Sequence, residues 1–361
     1  MRTLRLPAAT AACWQPSRTV RVLVVTQMWP GPGDPDLGVF VADLVRELRE
    51  LGHEVDVASI DRRGGPPTKY ARLTADAVRR ARRGSPDVVF AHFLFPAGAA
   101  GAAAAAAARA PLVVMAHGQD VQNARDSAPL ARATRAVLRR CAALIANSSW
   151  LVERLGDLAR DVPVEVVDCG VDLRVFAPAD AAAARGALGW GADGPAFLCV
   201  GSLIERKGVV ELADAFAQLG RGSLAYVGDG PLRGALEGRP GVRVVGRVPH
   251  AEVPRWIAAC DVLCQPSLLE PFGQAALEAL AMERSVVATT QGGPPEFVTP
   301  QAGVLVDPGD VAALAAALEQ AAALPSPNPA AREAAAEHDV RRQAARMADV
   351  LQRAVDARRS R

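Results

Sequence analysis

The segment Pro266-Ser267-Leu268-Leu269-Glu270-Pro271-Phe272-Gly273-Gln274-Ala275-Ala276-Leu277-Glu278-Ala279-Leu280 carries the residue types best suited to chemistry. An apolar run ends near Pro266, a loop presents Glu270, and a helix is predicted to start near Gly273. The first N–H groups of a helix lack partners within it and its dipole is positive there, so a diphosphate or a sugar oxygen is well received. Gly273 allows the backbone to approach closely. Glu278 lies one to two turns inside the helix, with seven residues between it and Glu270. One carboxylate can address a sugar while the other reaches further along an elongated ligand. Taken singly, Glu270 reads as a capping aid and Glu278 as a solvated helix residue. His117 and His92 each close an apolar run, in Met115-Ala116-His117-Gly118-Gln119-Asp120 and Ala91-His92-Phe93. Taken alone, His117 reads as a satisfied strand-end histidine. His92, which also ends a strand, is expected to line the cleft.

Such groups need a frame, and the chain supplies a repeated one. Strands are predicted at 20–26, 54–60, 86–92, 111–117, 142–147 and 164–168, with a helical stretch between neighbours. The runs of Val, Leu, Ile and Ala are continuous rather than alternating, the mark of strands buried on both faces. Strand–helix–strand order means a parallel sheet with helices on both sides. The pattern stops around 176–195 and restarts, with strands predicted at 196–201, 223–227, 242–245, 262–265, 285–288 and 304–306. The fold class is therefore α/β: two tandem Rossmann-like, doubly wound units facing an interdomain cleft, with ligands at the carboxyl ends of the strands. The predicted divisions are a disordered leader at 1–18, a first domain at 19–178, a second at 179–338 and a final helix at 339–361. In that helix Val340, Ala344, Met347, Leu351 and Val355 recur at helical spacing, which suits packing back onto the first domain.

Composition narrows the function. A chain of 361 residues with 50% hydrophobic and 22% charged residues suits two globular domains. Aromatics are only 4%, too few for stacking platforms, and no nucleic-acid partner is expected. Residues 1–178 hold 23 Lys and Arg against 18 Asp and Glu, whereas the remainder holds 18 against 21. The basic first half, including Arg79 to Arg83 and Arg132, Arg135, Arg139 and Arg140, suits an anionic acceptor or a peripheral contact with an anionic membrane. Ordinary solvated arginine accounts for it equally well. Six cysteines include no C-x-x-C pair, and several sit in apolar runs, which points to buried thiols in a reducing, cytoplasmic compartment. The five histidines are far apart in sequence, so no metal site is expected. The Ala-rich stretch 97–108 is too short to span a membrane.

Together these segments resemble glycosyltransferase family 4, whose members adopt the two-Rossmann GT-B fold. The resemblance runs from about Val20 to Asp310. Beyond the paired glutamates it includes Gly201-Ser202-Leu203-Ile204-Glu205-Arg206-Lys207-Gly208, Val227-Gly228-Asp229-Gly230-Pro231-Leu232, Gly292-Gly293-Pro294-Pro295-Glu296 and Gly303-Val304-Leu305-Val306-Asp307-Pro308. The first domain adds His117-Gly118-Gln119-Asp120 and the loop Trp29 to Phe40. The resemblance implies a retaining hexosyltransferase that uses a UDP-, GDP- or other nucleoside-diphosphate sugar, needs no metal or cofactor, and serves an acceptor that is a glycan, lipid or small molecule. By the same resemblance Glu270 contacts donor-sugar hydroxyls with the N–H groups of Phe272 and Gly273. Glu278 takes the ribose hydroxyls, which a carboxylate accepts well. Lys207 neutralises the diphosphate, Gly38 approaches it at a helix start, and His117 contacts the sugar. Two positions depart from the pattern. Ser202 stands where the family often has arginine, with Arg206 as the substitute charge. Met282-Glu283-Arg284-Ser285 stands where Gly-x-Pro is usual.

Four rival readings share parts of this pattern. A nicotinamide dehydrogenase would need the G-x-G-x-x-G fingerprint, but Gly31, Gly33 and Gly38 are spaced G-x-G-x-x-x-x-G with prolines between. An epimerase would need acid–base carboxylates not identifiable here. A phosphorylase would need a second phosphate site or a cofactor lysine, and the chain has only Lys69 and Lys207. A non-catalytic sugar-nucleotide-binding protein of the same fold also fits the motifs.

Overall fold

The aliphatic runs become strands buried on both faces. The computed structural model describes residues 18–191 and 193–360, so the predicted leader lies outside the described residues apart from Arg18. Strands β1 (Arg21–Thr26), β2 (Glu54–Ser59), β3 (Val88–His92), β4 (Leu112–Ala116), β5 (Cys141–Ala146) and β6 (Val164–Val166) form one sheet in the order β2-β1-β3-β4-β5-β6. Strands β7 (Ala196–Val200), β8 (Ser223–Val227), β9 (Val242–Gly246), β10 (Val262–Gln265), β11 (Ser285–Thr289) and β12 (Gly303–Val306) form the second, in the order β12-β11-β10-β7-β8-β9. Every strand pair is parallel. Each sheet has one switch point, between β1 and β3 and between β7 and β10, where successive connections leave in opposite directions and open a crevice.

Helices cover both faces of each sheet. On one face of the first, Leu73, Ala77 and Ala81 of the Thr68–Gly84 helix pack with Ala97, Ala100 and Ala104 of the Ala97–Ala108 helix over Leu23, Val25 and Val89. The Ala-rich stretch is thus a buried core helix, whose methyl side chains allow close packing. On the other face, Val41, Leu44 and Val45 share a core with Val22, Phe90, Met115 and the final helix Val340–Arg359, which contributes Met347, Leu351 and Val355. That helix comes after the whole second sheet in sequence, yet its apolar stripe is spent on the first. The chain crosses between the units beside itself: Val171 N donates to His338 O at 2.8 Å and Val340 N to Val171 O at 3.0 Å. His338 Nδ1 lies 2.9 Å from Asp168 Oδ2 at the same crossing.

The departure at Met282-Glu283-Arg284-Ser285 has two structural outcomes. Glu283 takes the left-handed conformation at φ 58°, which Gly-x-Pro would make easy. Arg284 is buried and donates to the carbonyls of Ala179 (3.0 Å) and Ala258 (2.9 Å), fastening the connection between the units. On the basic face, Arg80 pairs with Asp76 and Asp56, so part of its charge is compensated within the chain. No helix among the described residues is long and apolar enough to cross a membrane.

Candidate active site

The carboxyl ends of the two sheets enclose a cleft of about 290 Å³. Gly38 and Phe40 line it from the first sheet's side, and Gly201, Lys207, Glu270 and Glu278 from the second. The lining residues follow β1, β7 and β10, the strands at the switch points. Gly38 opens the helix Val39–Glu50 at φ 68°, and a Cβ there would meet Met28 O at 2.4 Å. Only glycine lets the chain reverse so tightly and still present its backbone to the cleft.

Glu270 is the most tightly held group. It is 7% exposed, and its Oε2 accepts from Lys207 Nζ at 2.5 Å, Ser267 Oγ at 2.9 Å and Gln265 Nε2 at 3.1 Å. A buried ion pair survives only when such further hydrogen bonds compensate for lost hydration. All three contacts fall on Oε2, leaving Oε1 outside this network. The backbone is fixed as well: Glu270 N donates to Gln291 O at 3.0 Å and Gly293 N to Glu270 O at 2.9 Å. The Gly292-Gly293 loop therefore belongs to the site. Gln265 also accepts from Ala276 N at 3.3 Å, joining the strand end to the helix start. Gln274 and Ala275 line the cleft at the opening of the helix Gln274–Ala281, where N–H groups lack acceptors within the helix. Gln265 and Ser267 were not singled out from sequence. The available signal was a polar residue ending a strand immediately before a proline.

Glu278 also lines the cleft and is 6% exposed. Burial raises its carboxyl to about 8, and Asp43 across the cleft adds to the rise while Gln274 opposes it. A carboxyl so raised is poised to ionise when a ligand brings donors to it.

The first domain contributes a histidine set among aromatic rings. His117 packs against Phe93 at 4.4 Å and Phe40 at 5.1 Å between ring centroids. Its Nδ1 lies 3.9 Å from Sγ of Cys169, itself a cleft residue. Asp120 shapes this loop, with Oδ1 accepting from the N–H groups of His117 (3.1 Å), Gly118 (2.8 Å) and Val121 (3.1 Å). Phe93 adopts φ 80°, a strained conformation for a residue with a side chain. His92 does not line the cleft. It is 1% exposed and stands behind His117, with Nδ1 3.1 Å from His117 Nε2. Two histidines remote in sequence therefore meet, because β3 and β4 are neighbours in the sheet. Among the described residues no group of three or more His, Cys, Asp or Glu is placed to hold a metal ion.

Of the residues picked from sequence, Gly38, Lys207, Glu270 and Glu278 come together at one cleft, with His117 at its border. Phe272 is buried, packed 5.5 Å from Phe297, and Gly273 caps the helix behind the lining residues. Arg206 does not line the cleft, because its Nη1 is turned to Leu269 O at 3.1 Å. Its contact braces the Glu270 loop instead.

The two units also touch directly. Ser148 Oγ donates to Pro271 O at 2.9 Å, and Gln274 Nε2 to Gly170 O at 3.0 Å. The Glu296 carboxylate accepts from Ser149 N at 2.6 Å and Trp150 N at 3.2 Å. Residues of the predicted donor side thus hold the predicted acceptor side in place around the cleft.

Comparison with known proteins gives concordant findings. Residues 37–175 match the sequence model of Glycosyltransferase Family 4, and residues 194–323 that of Glycosyl transferases group 1. A D-inositol 3-phosphate glycosyltransferase of Kribbella flavida is 31% identical over 86% of this chain and 88% of its own length. Among solved structures, a sucrose-phosphate synthase of Thermosynechococcus elongatus superposes with a TM-score of 0.77 at 22% identity, covering 93% of this chain and all of that one. Anabaena HepE, solved in complex with UDP-glucose, gives a TM-score of 0.71 at 24% identity over 92% of this chain and 99% of its own. These two likenesses establish the fold.

Proposed function

This chain belongs to the family 4, group 1 glycosyltransferases of GT-B fold, and we propose that it moves a hexosyl group from a nucleoside-diphosphate sugar with retention of anomeric configuration. The observation that carries this reading is the convergence of Lys207, Glu270, Glu278 and Gly38 on one interdomain cleft. Glu278, buried in the cleft wall, takes the ribose hydroxyls. The start of the Gln274–Ala281 helix and Lys207 face the diphosphate. Glu270 and His117 take the sugar.

The chemistry follows from that placement. The bond between the anomeric carbon and the diphosphate oxygen breaks, and negative charge develops on the departing oxygen. Lys207 and the helix start neutralise it, so the reaction runs without a metal ion. An acceptor hydroxyl attacks the oxocarbenium-like sugar from the face that the diphosphate leaves. Its proton passes to a diphosphate oxygen. The contacts between the units keep water from the reacting carbon and so suppress hydrolysis. HepE is solved with UDP-glucose, which makes UDP the first nucleotide to try.

The test is product stereochemistry. Wild-type protein is incubated with UDP-glucose or GDP-mannose in EDTA against an acceptor panel that includes D-inositol 3-phosphate. The one-bond carbon–proton coupling at the product's anomeric carbon is then read. An α-linked product from the α-linked donor supports the reading. A β-linked product, or turnover that stops in EDTA, contradicts it.

A further inference from the structure

The transfer reading uses His117 but gives no part to the histidine behind it. His92 ends β3, and its ring lies 4.5 Å from that of Phe90 between centroids. Nδ1 of His92 meets Nε2 of His117 at 3.1 Å, whereas Nε2 of His92 is buried with no partner among the described residues. His117 therefore gives one nitrogen to His92 and turns the other, Nδ1, to the side of Cys169 and the cleft.

A neutral imidazole has one N–H and one bare nitrogen, and the partner of one decides the state of the other. Burial keeps both rings neutral, lowering His92 to about 3 and His117 well below the ordinary histidine range. The hydrogen in the 3.1 Å contact thus comes from one ring only. Were His117 the donor, the proton of His92 would sit on Nε2, an N–H buried without an acceptor. With His92 as donor, the orphan is a bare lone pair, the less costly of the two.

We propose that His92 is a positioning residue: it donates from Nδ1 to His117 Nε2 and so fixes His117 as the Nδ1–H tautomer, with its one N–H on the cleft side, ready to donate to a hydroxyl of the donor sugar. The tautomer follows from the 3.1 Å contact, the unpartnered Nε2 of His92 and the burial of both rings, and does not depend on the transferase reading. Its use in sugar binding rests on the transferase reading above. His92 itself touches no substrate. It acts as the fixed partner that stops the ring of His117 from offering the cleft a bare nitrogen.

The experiment reads the tautomer and the sugar contact separately. Full-length protein labelled with 15N-histidine has only five histidines, so long-range 15N–1H correlation can assign each ring state, with His117→Gln identifying the His117 signals. In ligand-free wild type, His117 is expected as Nδ1–H. His92→Ala should give Nε2–H or a mixture. His92→Asn, whose amide nitrogen stands where Nδ1 stood, should restore Nδ1–H. In parallel, His92→Ala should weaken UDP-glucose (or GDP-mannose, if GDP is the nucleotide bound) by about tenfold, the worth of one hydrogen bond. UDP itself should be unaffected and the loss recovered in His92→Asn. Nε2–H in wild type, or Nδ1–H that persists in His92→Ala, overturns the proposal. Equal weakening of nucleotide and nucleotide sugar reduces His92 to a packing role and overturns it too. If His92→Ala does not fold, the wild-type and His92→Asn spectra still decide. Failure of all nucleotides to bind would instead strike the transferase reading and leave the tautomer result standing.

Discussion

At the scale of the residue, two carboxylates with similar burial are set to opposite tasks. Glu270 accepts at Oε2 from Lys207, Ser267 and Gln265, whereas Glu278 is raised to about 8 by burial, with Asp43 across the cleft adding to the rise. Glu278 is thus largely protonated in the free protein at neutral pH. Ribose hydroxyls donate better to the ionised form, so nucleotide affinity should rise from pH 6 to pH 9 with release of close to one proton. Titration calorimetry in buffers of different ionisation heat measures that proton, and Glu278→Gln should flatten the profile. The same shift acts on stability. The folded value lies above the unfolded one, so its contribution is fully present below the ordinary glutamate range. It is lost as pH rises through about 8. Glu278→Gln should therefore gain on wild type in urea unfolding at pH 9 and not at pH 4. Glu270→Gln keeps the shape but leaves Lys207 without its counter-charge, and should lower turnover by about 10²–10³. The paired glutamates were legible in the sequence, because a loop followed by a helix start fixes how both project. The Gln265 and Ser267 contacts were not, since nothing in their spacing says which way they turn. Arg206 shows the same limit: adjacency to Lys207 suggested a shared target, yet its side chain meets Leu269 O and not the cleft.

At the scale of the element, the strand ends hold the site through backbone approaches that tolerate little change. Gly118 has φ 112°, and a Cβ there would lie 2.2 Å from Pro271 Cβ on the opposite unit. Gly118→Ala should thus both strain the His117 loop and wedge the units apart. A cost of about 1–3 kcal/mol is expected from the conformation alone. Thermal unfolding should fall by several degrees, with weaker binding of nucleotide sugar. An unchanged midpoint and affinity would show that the cleft opens there freely. Strand and helix positions were readable because both sheets are parallel and doubly covered, which forces unbroken aliphatic runs. Meetings between elements were not. His92 and His117 are 25 residues apart, and only the adjacency of β3 and β4 brings them together.

At the scale of the whole molecule, the chain crosses between its units twice, and the second crossing ends in a helix that completes the first unit's core. Leu351 is 1% exposed there, packed with the residues under β1, β3 and β4. Leu351→Ala should cost about 2–5 kcal/mol and lower the unfolding midpoint of the first unit, although Leu351 does not line the cleft. Nucleotide binding by the second unit should persist at temperatures where the first has loosened. The tandem rhythm of strands and helices made the two units legible. The spacing of Met347, Leu351 and Val355 gave that helix an apolar face suited to the first domain, and that domain's Val22, Phe90 and Met115 receive it, though no spacing named those partners. If the cleft between the units holds a nucleoside diphosphate through Lys207 without a metal, isothermal titration of UDP, GDP, ADP and dTDP in EDTA into wild type and Lys207→Ala will show it. One nucleotide should bind at micromolar concentration, weakened about 10- to 100-fold by the substitution, the worth of a charged hydrogen bond. Binding of none, or binding indifferent to Lys207, would contradict this role of Lys207.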